Sequence, residues 1–212
     1  MTSFDPFLVL VLLINLVVLG SSRLRAVINA SAIQGVILGA LAALAHRHSG
    51  VAPWLVGGAA IVVKGVVIPR LLFKAMRDVA IHREVEPLIG FIPSLLLGAL
   101  GTGIAVVFSQ TLPLADAHKG SLLLPSSFAT VLTGFIVLTT RRKAITQVVG
   151  YLLLENGIFI MGLTLLEAMP FLVEVGVLLD LFVGIFVMGI IINHISREFS
   201  SLDTARLRSL KE

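Results

Sequence analysis

Four ionisable residues stand in stretches that are otherwise almost wholly apolar. Lys64 lies in the run 51–73, Glu155 in 145–166, and Glu174 and Asp180 in 170–193, with Asn156 directly after Glu155. An ionisable group at a bilayer centre costs roughly 2.5–3.5 kcal/mol on insertion scales, so each needs a partner or a task. At about 1.5 Å of helix rise per residue, Lys64, Glu155 and Asp180 fall roughly 15–20 Å from the starts of their runs. That is near the middle of a hydrocarbon core roughly 30 Å thick. Glu174 is shallower. Desolvation disfavours the charged form of such groups and a nearby opposite charge favours it, so carboxyls and an ammonium at one level can exchange protons through intervening waters. Glu155, Asp180, Lys64 and Glu174 are therefore the candidate proton-relay residues, with Asn156 as a supporting polar group. A buried Lys–carboxylate pair that only fixes helix packing would use the same residue types.

The elements that must carry these groups follow from composition. Of 212 residues, 57% are apolar and 13% charged, against about 45–50% and about 25% in soluble domains. Mean hydropathy is +1.05. A span needs about 20 apolar residues, so the length accommodates about seven, with no room for a soluble domain holding a large cofactor. Apolar runs at 6–20, 27–45, 51–73, 88–108, 122–140, 145–166 and 170–193 supply that number. The expected fold is all-α: a polytopic integral membrane protein of about seven transmembrane helices. The first run lacks a basic leader and a small-residue cleavage site, so it reads as a retained helix rather than a signal peptide.

The basic residues test this count. Thirteen of the sixteen Lys and Arg fall in the odd-numbered connections and the C-terminal tail, counting Arg70 at the end of the third run with the connection it leads into, whereas only Arg47 and Lys119 fall on the opposite side and Lys64 lies deep within a span. The positive-inside rule then puts the N-terminus outside and the C-terminus in the cytoplasm. In that setting the net charge of +4 sets topology and does not point to nucleic acid. The chain has no cysteine, which excludes disulfides, a thiolate nucleophile and cysteine-ligated iron–sulfur or zinc sites. No phosphate-binding, dinucleotide-binding or zinc-hydrolase motif occurs in a usable context. We expect no catalytic residue, no metal site and no cofactor in this chain. His46 and His48 read as solvated loop residues. Gly35 and Gly39, and Gly98, Gly101 and Gly103, mark helix interfaces. Pro69 and Pro93 are candidate kinks, and Trp54 fits an interfacial anchor.

From Arg141-Arg142-Lys143 through Gly150-Tyr-Leu-Leu-Leu-Glu155-Asn156-Gly157 the sequence resembles the K-type subunit of complex I and the C-type subunit of multisubunit Na⁺/H⁺ antiporters. Those subunits have a basic turn, a glycine, and an Asn six residues on, with a buried Glu between. Here the Glu stands immediately before Asn156, three positions later than usual, nearly one helical turn. Asp180, four residues before Gly184, takes the place of a second carboxylate that is usually Glu. The whole chain is similar to the hydrogenase-4 component E family. That likeness rests on the Gly150–Gly157 run, Leu172-Val-Glu174-Val-Gly176 with Asp180, Lys64 followed by Pro69, and a Leu-rich tail through Leu207 and Leu210. It implies three parts: a four-helix scaffold at 1–121, a K-like proton-handling module at 122–195 and a cytoplasmic tail at 196–212. It also implies membership of the membrane arm of a group-4 [NiFe]-hydrogenase or formate-hydrogenlyase-like complex in a prokaryotic inner membrane. Antiporter-like subunits would be its neighbours, and peripheral redox subunits would carry the NiFe and iron–sulfur centres. Two other classes remain open, a stand-alone ion or solute transporter and a structural scaffold.

Overall fold

The computed structural model describes residues 4–45, 52–78, 85, 87–112 and 120–165, and all regular structure among them is helical. The helices are α1 (Asp5–Gly20), α2 (Leu24–Ala45), α3 (Ala52–Val62), α4 (Ile68–Asp78), α5 (Phe91–Thr111), α6 (Leu123–Thr140) and α7 (Ala144–Leu165). A π-helical turn, Val63–Val67, joins α3 to α4 without a break. In lipid each backbone group must be satisfied within its own segment, which these uninterrupted apolar runs achieve as helices. Four helical segments among the described residues are long and apolar enough to cross a membrane: Leu24–Leu44, Phe91–Thr111, Leu123–Thr140 and Ile145–Leu163. The apolar helix α1 is shorter. The seventh expected run, 170–193, lies outside the described residues.

Three contacts fix α1 and α6 side by side and parallel. Asp5 Oδ1 accepts from Leu122 N–H at 3.4 Å, Asn15 bonds Thr130, and Arg141 Nη2 donates to the Leu19 carbonyl at 3.0 Å. α6 and α7 pack antiparallel at backbone contact. A Cβ added at Gly134 would lie 2.6 Å from Leu154 N, and one at Gly150 would lie 2.7 Å from Leu138 N. Gly39 and Gly57 serve α2 and α3 in the same way, since a Cβ on Gly57 would lie 2.7 Å from Gly39 O. Gly35 packs on Lys64, Gly98 on Leu19 and Gly101 on Leu132. Gly103 departs from the expected interface role: nothing lies within 4 Å of its Cβ position.

Two apolar clusters divide the bundle. One joins Leu19, Leu24, Ile28, Leu72, Val149 and Leu153, among others; the second joins Leu8, Val11, Leu38, Leu41, Phe159 and Ile160. The first lies at the end where Val85 N donates to Ser22 O and Leu88 N to Thr140 O. Arg23, Arg25, Arg70, Lys74, Arg77 and Arg141 to Lys143 all lie toward this basic end. Arg141 is itself buried. Besides Leu19, it donates to Ile89 O at 3.4 Å and lies 5.2 Å from the centre of the Phe91 ring. Burial lowers its guanidinium pKa from the ordinary value, yet a guanidinium stays charged. A residue expected only to set topology thus also closes the C-terminal end of α1, where a cation suits the helix dipole.

The two candidate kinks differ. Pro93 sits in the first turn of α5, where its missing N–H would have had no helical partner, so it bends nothing. Pro69 follows the π-helical turn, and its ring would crowd the carbonyl of Gly65 four residues back. Widening the preceding turn relieves that clash, and Ile68 N–H bonds Val63 O, five residues back.

Candidate functional site

Between the two apolar clusters runs a line of buried polar side chains, one or two from the middle of each contributing helix. Lys64, in the π-helical turn, places Nζ 3.0 Å from Glu155 Oε1 on α7. The same ammonium donates to Asn156 Oδ1 at 2.9 Å. Asn156 Nδ2 donates to Gln34 Oε1 on α2 at 3.2 Å, and Gln34 Nε2 to Asn15 Oδ1 on α1 at 2.9 Å. Asn15 Nδ2 donates to Thr130 Oγ1 on α6 at 2.9 Å, and Thr130 donates to the Ser126 carbonyl at 2.6 Å. All six side chains of this series, Glu155 included, are buried.

Every bond in that line points the same way, and Lys64 dictates the direction. An ammonium has donors only, so Asn156 must turn its oxygen toward it and its NH₂ away. Gln34 and Asn15 follow in turn. Each amide dipole therefore has its negative end toward the lysine, and such head-to-tail chains strengthen one another in a low dielectric. Amides hold their protons, so the line from Asn156 to Thr130 transmits orientation and not protons.

The ammonium is further sheltered by Phe159, whose ring centre is 5.4 Å from Nζ. A pocket of about 10 Å³, close to one water in size, borders Lys64 and Asn156 on the side of Ser31, Ile68, Pro69 and Leu72. These last residues lead toward the basic end. Lys64 can donate three hydrogen bonds, and Glu155 and Asn156 accept two, so a water in this pocket is placed to accept the third. No group of three or more His, Asp or Glu suited to a metal occurs among the described residues.

No family model and no solved structure matches the chain. Over 193 residues it is 34% identical to the uncharacterized protein Rv0085 of Mycobacterium tuberculosis, covering 89% of this chain and 87% of that one. The chain belongs to the family of that protein. It is also 29% identical over 154 residues to hydrogenase-4 component E of Escherichia coli K12, covering 72% of this chain and 70% of the relative. The same figures hold for hydrogenase-4 component E of Shigella flexneri.

In this member of the family, the structure joins three of the residues singled out in the sequence, Lys64, Glu155 and Asn156. Glu174 and Asp180 lie outside the described residues. Gln34, Asn15 and Thr130 were not foreseen. One signal was available: an amide in the middle of an apolar helix is a polar group in hydrocarbon and calls for a partner. The buried Asp5, next to Pro6 at the head of α1, carried a similar mark.

Proposed function

We propose that the chain is a non-catalytic membrane subunit of an energy-converting hydrogenase-type complex related to complex I, in which buried carboxylates contribute to proton translocation. The observation that carries this reading is the Lys64–Glu155 ion pair, 3.0 Å long and at the mid-level of its helices. Its support from relatives is the name of the hydrogenase-4 component E homologues. On this reading Glu155 and Lys64 exchange protons, Asn156 holds the lysine in register, and Asp180 and Glu174, in the apolar run 170–193, extend the relay. Residues 122–195 form the K-like module, residues 1–121 scaffold it, and the tail 196–212 faces the cytoplasm.

The chain would span an inner membrane about seven times, beside antiporter-like subunits, while peripheral partners carry NiFe and iron–sulfur centres. Redox turnover in those partners would change the local field, and Coulomb effects at low dielectric are strong enough to bias a buried ion pair. The test uses the assembled complex in sealed vesicles carrying Glu155→Gln, Asp180→Asn or Lys64→Met. Loss of proton translocation per assembled complex is expected for Glu155→Gln and Lys64→Met, with the amount of complex in each vesicle preparation measured alongside. Wild-type proton stoichiometry in both would sink the proposal and leave a scaffold role.

A further inference from the structure

The outward faces of α5 and of the continuous α3–α4 helix differ in chemistry. On α5 the outward residues are mostly large and aliphatic, with Leu96, Leu100, Ile104 and Val107 all exposed. Such a face suits lipid tails, which are as apolar as leucine. On α3 and α4 the outward residues Ala59, Val62, Val66, Arg70, Lys74 and Arg77 are all exposed and recur every three or four positions. They therefore form one stripe along the helix. Its first half is small or β-branched, and its second half is basic. The other side of α4, with Ile68, Leu72, Ala75 and Met76, is buried in the first apolar cluster, which holds the charges outward.

Arg70 is the member of this stripe that calls for a partner. It stands six residues after Lys64, about 9 Å of helix rise, inside a hydrocarbon half-thickness of roughly 15 Å. Leu71, Leu72 and Phe73 follow before the next charge. Among the described residues none forms an ion pair with Arg70, Lys74 or Arg77. Charges within a membrane almost always face protein or a water-filled cavity and are paired. A lipid phosphate serves Arg70 poorly, because helical side chains lean toward the helix N-terminus, which for α4 is the side of Lys64 and the membrane interior. A second copy of the chain serves no better, since a two-fold axis along the helices sets Arg70 against Arg70. The run 170–193 lies outside the described residues. Crossing back from the end of α7, it would bring to the level of Arg70 only the stretch 181–192, which holds no charged residue.

We infer that the exposed stripe of α3 and α4 is the docking surface for a transmembrane helix of another membrane subunit, one that bears a carboxylate level with Arg70. Ala59 and the two valines let the partner's backbone come close, as small residues do where helices meet in membranes. Arg70 meets the carboxylate through its planar fork, with two parallel N–H···O bonds, away from lipid. Lys74 and Arg77, about one and two turns further out, face acidic residues beyond the end of the partner helix. Arg70 adjoins Pro69, so the partner also holds the chain beside the π-helical turn that carries Lys64.

This surface rests on the reading of the chain as a subunit of a larger membrane complex, and the test separates the two. A photoreactive amino acid is placed at Val62 or Val66, or for comparison at Leu100, in the complex within its own membrane. Every charged residue stays in place, so the answer does not depend on a charge variant folding. From Val62 and Val66, illumination should attach another membrane subunit, at a helix that mass spectrometry shows to carry Asp or Glu; from Leu100 it should attach lipid. Adducts of Val62 and Val66 with lipid only, with residues 170–193 or with a second copy would overturn the surface, and capture of the subunit from Leu100 instead would move the interface to α5. Arg70→Gln should lower the partner recovered per chain at least roughly tenfold, as loss of one side of a buried charge pair does. Arg142→Gln, exposed at the same end, should leave recovery unchanged; equal losses would mean that bulk basic charge and not Arg70 is read, and would overturn the pairing. Should other subunits co-purify while the α3–α4 probes reach only lipid, the surface alone fails. Should no other membrane subunit co-purify after gentle solubilisation, the subunit reading itself fails.

Discussion

Lys64 is held by two acceptors of different kinds, and the difference decides how the site responds to mutation. Glu155 neutralises its charge, whereas Asn156 only orients it. Removing one member of a buried ion pair leaves an uncompensated charge and costs about 3–5 kcal/mol, while replacing both with apolar groups is often neutral. We expect Lys64→Met and Glu155→Leu each to destabilise the folded chain on that scale and the double variant to recover most of the loss. Reversible unfolding in detergent checks this through a double-mutant cycle; additive losses would show that the pair contributes no coupling. Gln34→Leu should cost less, because an interhelical hydrogen bond in a membrane averages about 0.6 kcal/mol. The ionisable half of the site was legible in the sequence, since Lys64 and Glu155 interrupt apolar runs. The amide half was not. Asn15, Gln34 and Thr130 are uncharged, and which helix faces meet depends on packing that periodicity alone does not determine. Arg141 shows the converse, a residue whose place in a basic turn concealed its burial.

At the scale of elements, the π-helical turn is what presents Lys64 to α7. One residue of register corresponds to about 100° of helix rotation, so reverting the turn to α geometry would carry Lys64 off the face shared with Glu155 and Asn156. π-bulges inside α-helices occur frequently at functional sites. Pro69 enforces this one, and Pro69→Ala restores the N–H that an α-helical bond to Gly65 O requires. We expect Pro69→Ala to impair proton translocation although it touches neither charged partner, with assembly retained. Unchanged translocation would mean the turn persists without the proline. The glycine contacts make a second, purely structural prediction. Gly150→Leu should separate α6 from α7 and abolish the folded chain in the membrane, because the clash is with backbone that cannot yield. Gly103→Leu, facing open space, should accumulate at the wild-type level on membrane blots. The sequence marked glycines in helices but could not rank them, since the ranking depends on which neighbour each one meets.

The whole molecule has a charge asymmetry that the fold converts into an axis. Apart from Lys64, every described Lys and Arg lies toward one end, and Asp5 is buried at the other. The orientation of that axis decides which compartment the pocket beside Lys64 lies toward. Cytoplasmic connections collect Lys and Arg because translocating them is unfavourable, so the basic end should face the cytoplasm and the Asp5 end the outside. The cysteine-free sequence makes this directly measurable, since any thiol introduced is the chain's only one. Arg142, exposed in the turn after α6, and Thr111, exposed at the end of α5, lie at opposite ends of the bundle. With a membrane-impermeant thiol reagent, Thr111→Cys should be labelled in right-side-out vesicles and Arg142→Cys only in inverted ones. The opposite pattern would turn the axis around. The one-water pocket beside Lys64 would then lie on the outer side of the ion pair and not on the cytoplasmic side. Labelling of both positions from one side would contradict the antiparallel arrangement of α5 and α6 itself, which rests on Leu88 pairing with Thr140 and Phe108 with Phe128.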